Sequence, residues 1–101
     1  MDGNTEQVED KMKVHIHLSS EHISEEDNIR YEDNPIETYW NLPVLPNKGD
    51  NIGLESIVGI QNVPESIDNR NLSWTVERIF YFRDYDSYKI IPTIYLEGRK
   101  R

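Results

Sequence analysis

The sequence predicts an all-β or mostly-β fold, a small barrel of five strands. The chain of 101 residues contains 12 isoleucines and no alanine, so β-branched residues dominate its apolar set and strong helix formers are scarce. Apolar residues alternate with polar ones in several short runs, and polar turn-forming stretches separate these runs. One domain is the default for this length, and short, curved strands commonly close into a barrel.

Each strand is predicted from its own alternation. The predicted strands are residues 11–18, 36–42, 52–60, 74–83 and 88–97. Residues 19–34 are polar and acidic and are predicted to form a long loop, although a short helix can begin near Ser24. The predicted organisation is a flexible acidic arm at 1–10, a single β-barrel domain at 11–98 and a basic tail at 99–101.

The strand at residues 74–83 changes the parity of its apolar residues near Glu77. Without a bulge, Phe80 and Phe82 would point into the core and Arg78 would need a buried partner. A bulge at this point would keep four residues on the core side: Trp74, Val76, Ile79 and Tyr81. In the last strand, Pro92 lacks an N–H, which favours an edge position at that point.

A proline-glycine-aspartate turn precedes the third predicted strand. Its residues are Pro46, Gly49, Asp50 and Ile52, in the pattern P-x-x-G-D-x-I. Gly49 can take a positive φ and Asp50 can cap the turn through its carboxylate. This turn and the strand order resemble small SH3-like β-barrel proteins of bacterial and phage genomes. The resemblance implies a corner that redirects a strand in a barrel, and it implies no activity.

The net charge of −8 is concentrated in one part of the chain. Residues 1–41 contain 11 acids and 3 bases, whereas residues 42–101 contain 8 of each. Such acidity disfavours contact with nucleic-acid phosphates and anionic membranes. It is compatible with a solvated loop or with an acidic mimic of nucleic acid, an inhibitor from a phage or mobile element. The candidate partner-binding acids are Glu25, Glu26, Asp27, Glu32 and Asp33. Their spacing does not match a calcium-binding EF-hand loop.

Two histidines form a candidate site for a divalent metal or a small ligand. His15 and His17 share one face of the first predicted strand, about 7 Å apart, and can share a divalent ion such as Zn²⁺. His22 or Glu21 is the candidate third ligand. The alternative is an ordinary strand surface that faces solvent. Lys13 on the same face favours this alternative, because a positive side chain beside a metal ion is unfavourable.

Aromatic residues are concentrated in the last two predicted strands. One core can bury only one face of strand 74–83, so some of these rings must be exposed. The candidate partner-binding aromatics are Phe80, Phe82, Tyr85 and Tyr95. An exposed aromatic patch marks a protein interface, including a homodimer, whereas the alternative is cross-strand packing of partly buried rings. Stacking on single-stranded nucleic acid is a further possibility that the net acidity disfavours.

Composition sets the remaining expectations. The chain has no cysteine, so disulfides, thiolate zinc sites and cysteine nucleophiles are excluded. The N-terminal residues lack the pattern of a signal peptide, and no apolar run approaches the ~18 residues of a membrane span, so a cytoplasmic location is expected. We expect a non-enzymatic binding module without a cofactor, whose partner is another protein or a second copy.

Overall fold

The computed structural model describes residues 12–40 and 42–101, so the predicted arm at 1–10 lies outside the described residues. Seven helices and strands are numbered here in chain order. They are β1 (Met12–Ser19), α1 (Glu25–Asp33), β2 (Ile36–Trp40), β3 (Asn51–Ile52), α2 (Leu54–Val58), β4 (Leu72–Arg83) and β5 (Ile90–Lys100). Two short 3-10 turns, Ile60–Asn62 and Asn69–Asn71, lie between α2 and β4.

The five strands form one sheet in the order β2-β1-β5-β4-β3, which confirms the predicted mostly-β fold. β1 and β5 pair in parallel, and the other neighbouring strands pair antiparallel. The sheet curls into half a barrel. None of the described helices is long and apolar enough to cross a membrane.

The core lies on one face of this curled sheet. In β1, Val14, Ile16 and Leu18 are buried, whereas His15 and His17 between them lie on the outer face. Most of the core therefore comes from the inner positions of β1, β4 and β5, as expected for strands with one buried face. These inner residues are Val14, Ile16, Leu18, Leu72, Trp74, Val76, Ile94 and Leu96.

The predicted strand at 52–60 is wrong beyond its first residue. Asn51 and Ile52 pair with β4, but residues 54–58 form helix α2 between Gly53 and Gly59. Leu54 and Val58 are buried and four residues apart, which is the helical spacing that the short run concealed. α2 packs against β2, where the Thr38 hydroxyl donates to the carbonyl of Ile57 over 3.2 Å. The helix thus bridges the two edge strands of the half-barrel.

The long loop expected at 19–34 contains helix α1. Ser24 caps it: its hydroxyl accepts a hydrogen bond from the Asp27 N–H at 3.0 Å. The first turn is acidic, which suits the positive end of the helix dipole. α1 is anchored to the end of β1, where the Asn28 amide exchanges hydrogen bonds with the backbone of Ser20.

β4 contains the predicted bulge. Val76 lies opposite Leu96 and Arg78 lies opposite Tyr95, so Glu77 is the extra residue. The bulge returns Ile79 to the inner side, as expected. Tyr81 differs from expectation, because it is 62% exposed. Burial along β4 decreases after Val76, so Tyr81 lies beyond the part of the sheet that covers the core.

β5 has the predicted edge position at Pro92, although it is a central strand from Thr93 onward. Pro92 lies opposite Tyr81 of β4, and the ladder with β1 begins only at Thr93. Among the described residues, Pro92 therefore has a paired strand on the β4 side only, and its missing N–H breaks no ladder on the other side. At its other end β5 includes Arg99 and Lys100, so most of the predicted basic tail belongs to the strand.

The proline-glycine-aspartate turn is a corner that leads into β3. Gly49 has a φ of +93°, and the Asp50 carboxylate accepts a hydrogen bond from the Asn47 N–H at 2.8 Å. The Gly49 N–H donates to the carbonyl of Val76, and the Val76 N–H donates to the carbonyl of Asp50. The predicted roles of Gly49 and Asp50 are confirmed.

Gly98 provides the closest packing between β4 and β5. It lies opposite Trp74, and its carbonyl accepts a hydrogen bond of 2.7 Å from the buried Ser20 hydroxyl. A Cβ atom at Gly98 would lie 2.9 Å from the Trp74 ring. The glycine therefore lets the indole rest directly on the backbone of β5.

We predict that Gly98→Ala lowers the free energy of unfolding by about 1–3 kcal/mol, because the methyl group overpacks a buried ring. Gly53→Ala is the matched control, since its Cβ would meet only Ser56 at 3.4 Å; its expected cost is below about 1 kcal/mol. Urea unfolding followed by tryptophan fluorescence measures both. Equal stability of the two variants would contradict this role for Gly98.

Candidate functional site

The β4–β5 hairpin carries an exposed apolar surface at its tip. We call residues 80–90 the projecting hairpin. Every residue in it except Asp84 is exposed. Its large apolar side chains are exposed to between 43% and 85%: Phe80, Tyr81, Phe82, Tyr85, Tyr88 and Ile90. Groups of exposed apolar side chains on soluble proteins mark interaction sites.

Ring contacts extend from this hairpin across three strands. We call this row the aromatic face, and it consists of His17, Tyr95, Arg78, Phe80 and Phe82. The His17 and Tyr95 rings stack with centroids 4.5 Å apart, and the Tyr95 and Phe80 rings meet edge to face at 5.5 Å. The Phe80 and Phe82 rings are 5.9 Å apart. Such contacts hold the rings in fixed positions before any partner binds.

Arg78 lies within this row. Its guanidinium carbon is 4.6 Å from the centroid of the Phe80 ring and 4.5 Å from that of the Tyr95 ring. The Glu77 carboxylate, 4.0 Å away, is its nearby counter-charge. The guanidinium and the two rings thus form one cation–π cluster, which combines a flat apolar surface with hydrogen-bond donors.

Strand register explains why these side chains meet. His17 of β1 and Arg78 of β4 both lie opposite Tyr95 of β5, from its two sides. The bulge at Glu77 puts Arg78, Phe80 and Phe82 on the outer face. Without this extra residue, the parity of β4 would turn the same three side chains toward the core.

A pocket of about 190 Å³ lies beside the aromatic face, where α1 approaches β1 and β5. Its polar lining has both signs of charge: Asn28, Glu32, Glu77, Arg78 and His17. The Nδ1 atom of His17 is buried there without a hydrogen-bond partner. Burial, followed by the positive charge of His15, lowers the pKa of His17 below its ordinary value of 6.5. Glu32 and a hydrogen bond with the backbone of Tyr31 act in the opposite direction.

The candidate metal ligands have other neighbours. His15 Nε2 lies 3.7 Å from a carboxylate oxygen of Glu37, and His17 stacks on Tyr95. His22 lies 3.5 Å from Glu21, the other candidate third ligand. In residues 12–40 and 42–101, no three histidine or acidic side chains come together as a metal site. Metal binding at His15 and His17 stays a prediction without a third ligand.

The five candidate acids are divided between two environments on α1. Asp27 is only 7% exposed, and its carboxylate lies 3.8 Å from the Arg30 guanidinium. The other four are exposed and fall within an arc of about 120° at helical spacing. We call this arc the acidic face: Glu25, Glu26, Glu32 and Asp33. The structure thus separates Asp27 from the group.

Sequence reasoning placed Phe80, Phe82, Tyr85 and Tyr95 in one group, but Tyr85 contacts no other ring in the described part of the chain. It placed Arg78 on the same strand face as Phe80 and Phe82, by the spacing Arg78-x-Phe80-x-Phe82, but did not count it among the candidate partner-binding residues. It did not place His17 beside Tyr95, because that contact depends on the parallel pairing of distant strands.

Comparisons with known protein families, with curated protein sequences and with solved structures find no match to this chain.

We predict that the imidazole of His17 titrates below pH 6.5, measured by NMR. His15→Gln should raise the pKa of His17, because it removes a positive neighbour, and Glu32→Gln should lower it further. Because the pKa of His17 is lower in the folded state, the unfolded state binds this proton more tightly. The contribution of His17 to the free energy of unfolding is complete above about pH 6.5 and is lost as the pH falls through the pKa of the folded state. A midpoint at or above 6.5, or variants that shift it the opposite way, would refute this account.

Proposed function

We propose that this protein is a non-enzymatic binding module that contacts a protein partner through the aromatic face and the projecting hairpin. The observation that carries the proposal is the exposure of six large apolar side chains on residues 80–90. Leaving such an area in water is unfavourable by roughly 25 cal/mol per Å². A partner that covers it recovers this free energy.

The chemistry of the surface supports a protein as the partner. Aromatic residues and arginine are enriched among the residues that contribute most to protein interfaces, and Arg78 with Phe80 and Phe82 supplies both types. Arg78 already stacks on two rings, so little side-chain freedom remains to be lost on binding. Nucleic acid is a poorer fit, because the chain carries a net charge of −8.

The double variant Phe80→Ser with Phe82→Ser tests this proposal. Both side chains are about half exposed, so we expect the fold to tolerate the change. Loss of two central aromatic contacts should weaken partner binding at least about tenfold. The measurement compares the proteins retained by the immobilised chain, and its own molar mass by light scattering, between wild type and variant.

Val44→Ser is the matched control, because Val44 is 72% exposed and lies outside the hairpin. We expect it to behave like the wild type. Identical retained proteins and identical molar mass for the wild type and the double phenylalanine variant would refute the proposed function.

A second candidate is the acidic nucleic-acid mimic, which the arrangement of α1 favours. The helix turns four carboxylates outward on the acidic face, while Arg30 approaches Glu26 and the buried Asp27. Four outward carboxylates can occupy a groove that a DNA- or RNA-binding enzyme uses for phosphates. This version requires that partner to be basic.

Conversion of the acidic face to amides should abolish capture of such a partner if the second candidate is right. The variant carries Glu25→Gln, Glu26→Gln, Glu32→Gln and Asp33→Asn, and leaves Asp27 in place. Glu65→Gln with Asp68→Asn is the control, since both side chains are exposed and lie outside α1 and the projecting hairpin. Added duplex DNA should release the captured protein. Capture that persists in the fourfold variant, or that DNA does not disturb, would exclude the mimic.

A further inference from the structure

The outer half of β4 has an open backbone edge. β5 pairs with β4 along its whole length, but β3 pairs only with Trp74 and Thr75, and the corner at Gly49 and Asp50 ends at Val76. In the part of the chain that the structure describes, residues 77–83 therefore have a strand on one side only. An open edge of this kind is a template for another strand.

The register shows which backbone groups face outward. Both backbone groups of Val76 bond away from β5, to the corner. On β5 the alternation puts Pro92, which has no N–H, in a pair without hydrogen bonds opposite Tyr81. By the same alternation, the N–H and C=O groups of Ile79, Tyr81 and Arg83 point away from β5. They are available to a strand laid against this edge.

We infer that the edge of β4 pairs antiparallel with the same edge of a second copy of this chain, with Phe80 on the two-fold axis. This inference rests on the proposed function and names its partner. In that register Ile79 of each copy lies opposite Tyr81 of the other, so outward backbone groups face one another and form ladder bonds. Phe80 lies opposite Phe80, in a pair without hydrogen bonds, where side chains approach most closely.

The remaining pairs in this register are also complementary. Arg78 lies opposite Phe82 of the second copy, which continues the stacking that Arg78 already makes with Phe80. On the other face, Ile79 lies opposite Tyr81 of the second copy, so apolar side chains meet there as well. The stretch from Arg78 to Phe82 is thus complementary to itself in reverse, which a two-fold interface requires.

The neighbouring register, centred on Tyr81, fits less well. It would put Arg78 opposite Asp84, but the Asp84 carboxylate already accepts a 2.7 Å hydrogen bond from the Ser87 hydroxyl within the hairpin turn. That bond lowers the pKa of Asp84 and holds its carboxylate in the turn. It would also put Ile79 opposite the charged Arg83 in place of Tyr81.

Engineered cysteines test the register, because the chain has no cysteine of its own. Two residues directly opposite each other in a non-hydrogen-bonded antiparallel pair have Cα atoms about 4.5 Å apart, which is within the range that a disulfide can span. We expect Phe80→Cys to form a covalent dimer on mild oxidation much faster than Val44→Cys, the exposed control. Faster cross-linking of Tyr81→Cys than of Phe80→Cys would overturn the register centred on Phe80.

The outcomes separate this inference from the proposed function. In one outcome, the wild-type chain stays monomeric at high micromolar concentration but retains a protein that the double phenylalanine variant loses. That outcome refutes pairing with a second copy and supports the proposed binding module. A monomer for which that variant changes nothing overturns both.

Discussion

The single extra residue at Glu77 determines what β4 can do. Up to Val76 the strand alternates so that Trp74 and Val76 are buried. After the bulge the parity is reversed, so Ile79 remains on the inner side while Arg78, Phe80 and Phe82 lie on the outer face. One strand therefore serves the core with its first half and a surface with its second. Removing the bulge would exchange these roles and bury a guanidinium, which is strongly unfavourable without a partner.

The projecting hairpin depends on the buried half of the same two strands. A two-stranded hairpin is marginally stable in water, and residues 80–90 are almost all exposed. Their order comes from continuity with the segment where Trp74 packs on Gly98 and Ser20 bonds to the Gly98 carbonyl. The position of the aromatic face thus depends on how the same two strands pack in the core. A change at Gly98 affects the surface through the strands themselves.

Local alternation predicted β1, β2, β4 and β5, and the parity change in β4 predicted both the bulge and the outward phenylalanines. It failed at Leu54–Val58, because five residues are too few to distinguish the alternation of a strand from the spacing of a helix. It also failed for Tyr81, since the pattern shows which side a residue faces but not where the core ends. The contacts of His17 and Arg78 with Tyr95 depend on pairing between β1, β5 and β4. No short window contains those long-range registers.

Electrostatics decides which part of this acidic chain a second copy can approach. The net charge of −8 is carried entirely within the first 41 residues, so two copies repel one another wherever those segments face each other. Residues 77–90 contain three acids and three bases and have no net charge. Contact through this segment would bring apolar rings together without a net charge on either side. The neutral hairpin therefore offers an apolar surface that lacks the excess negative charge of the first 41 residues.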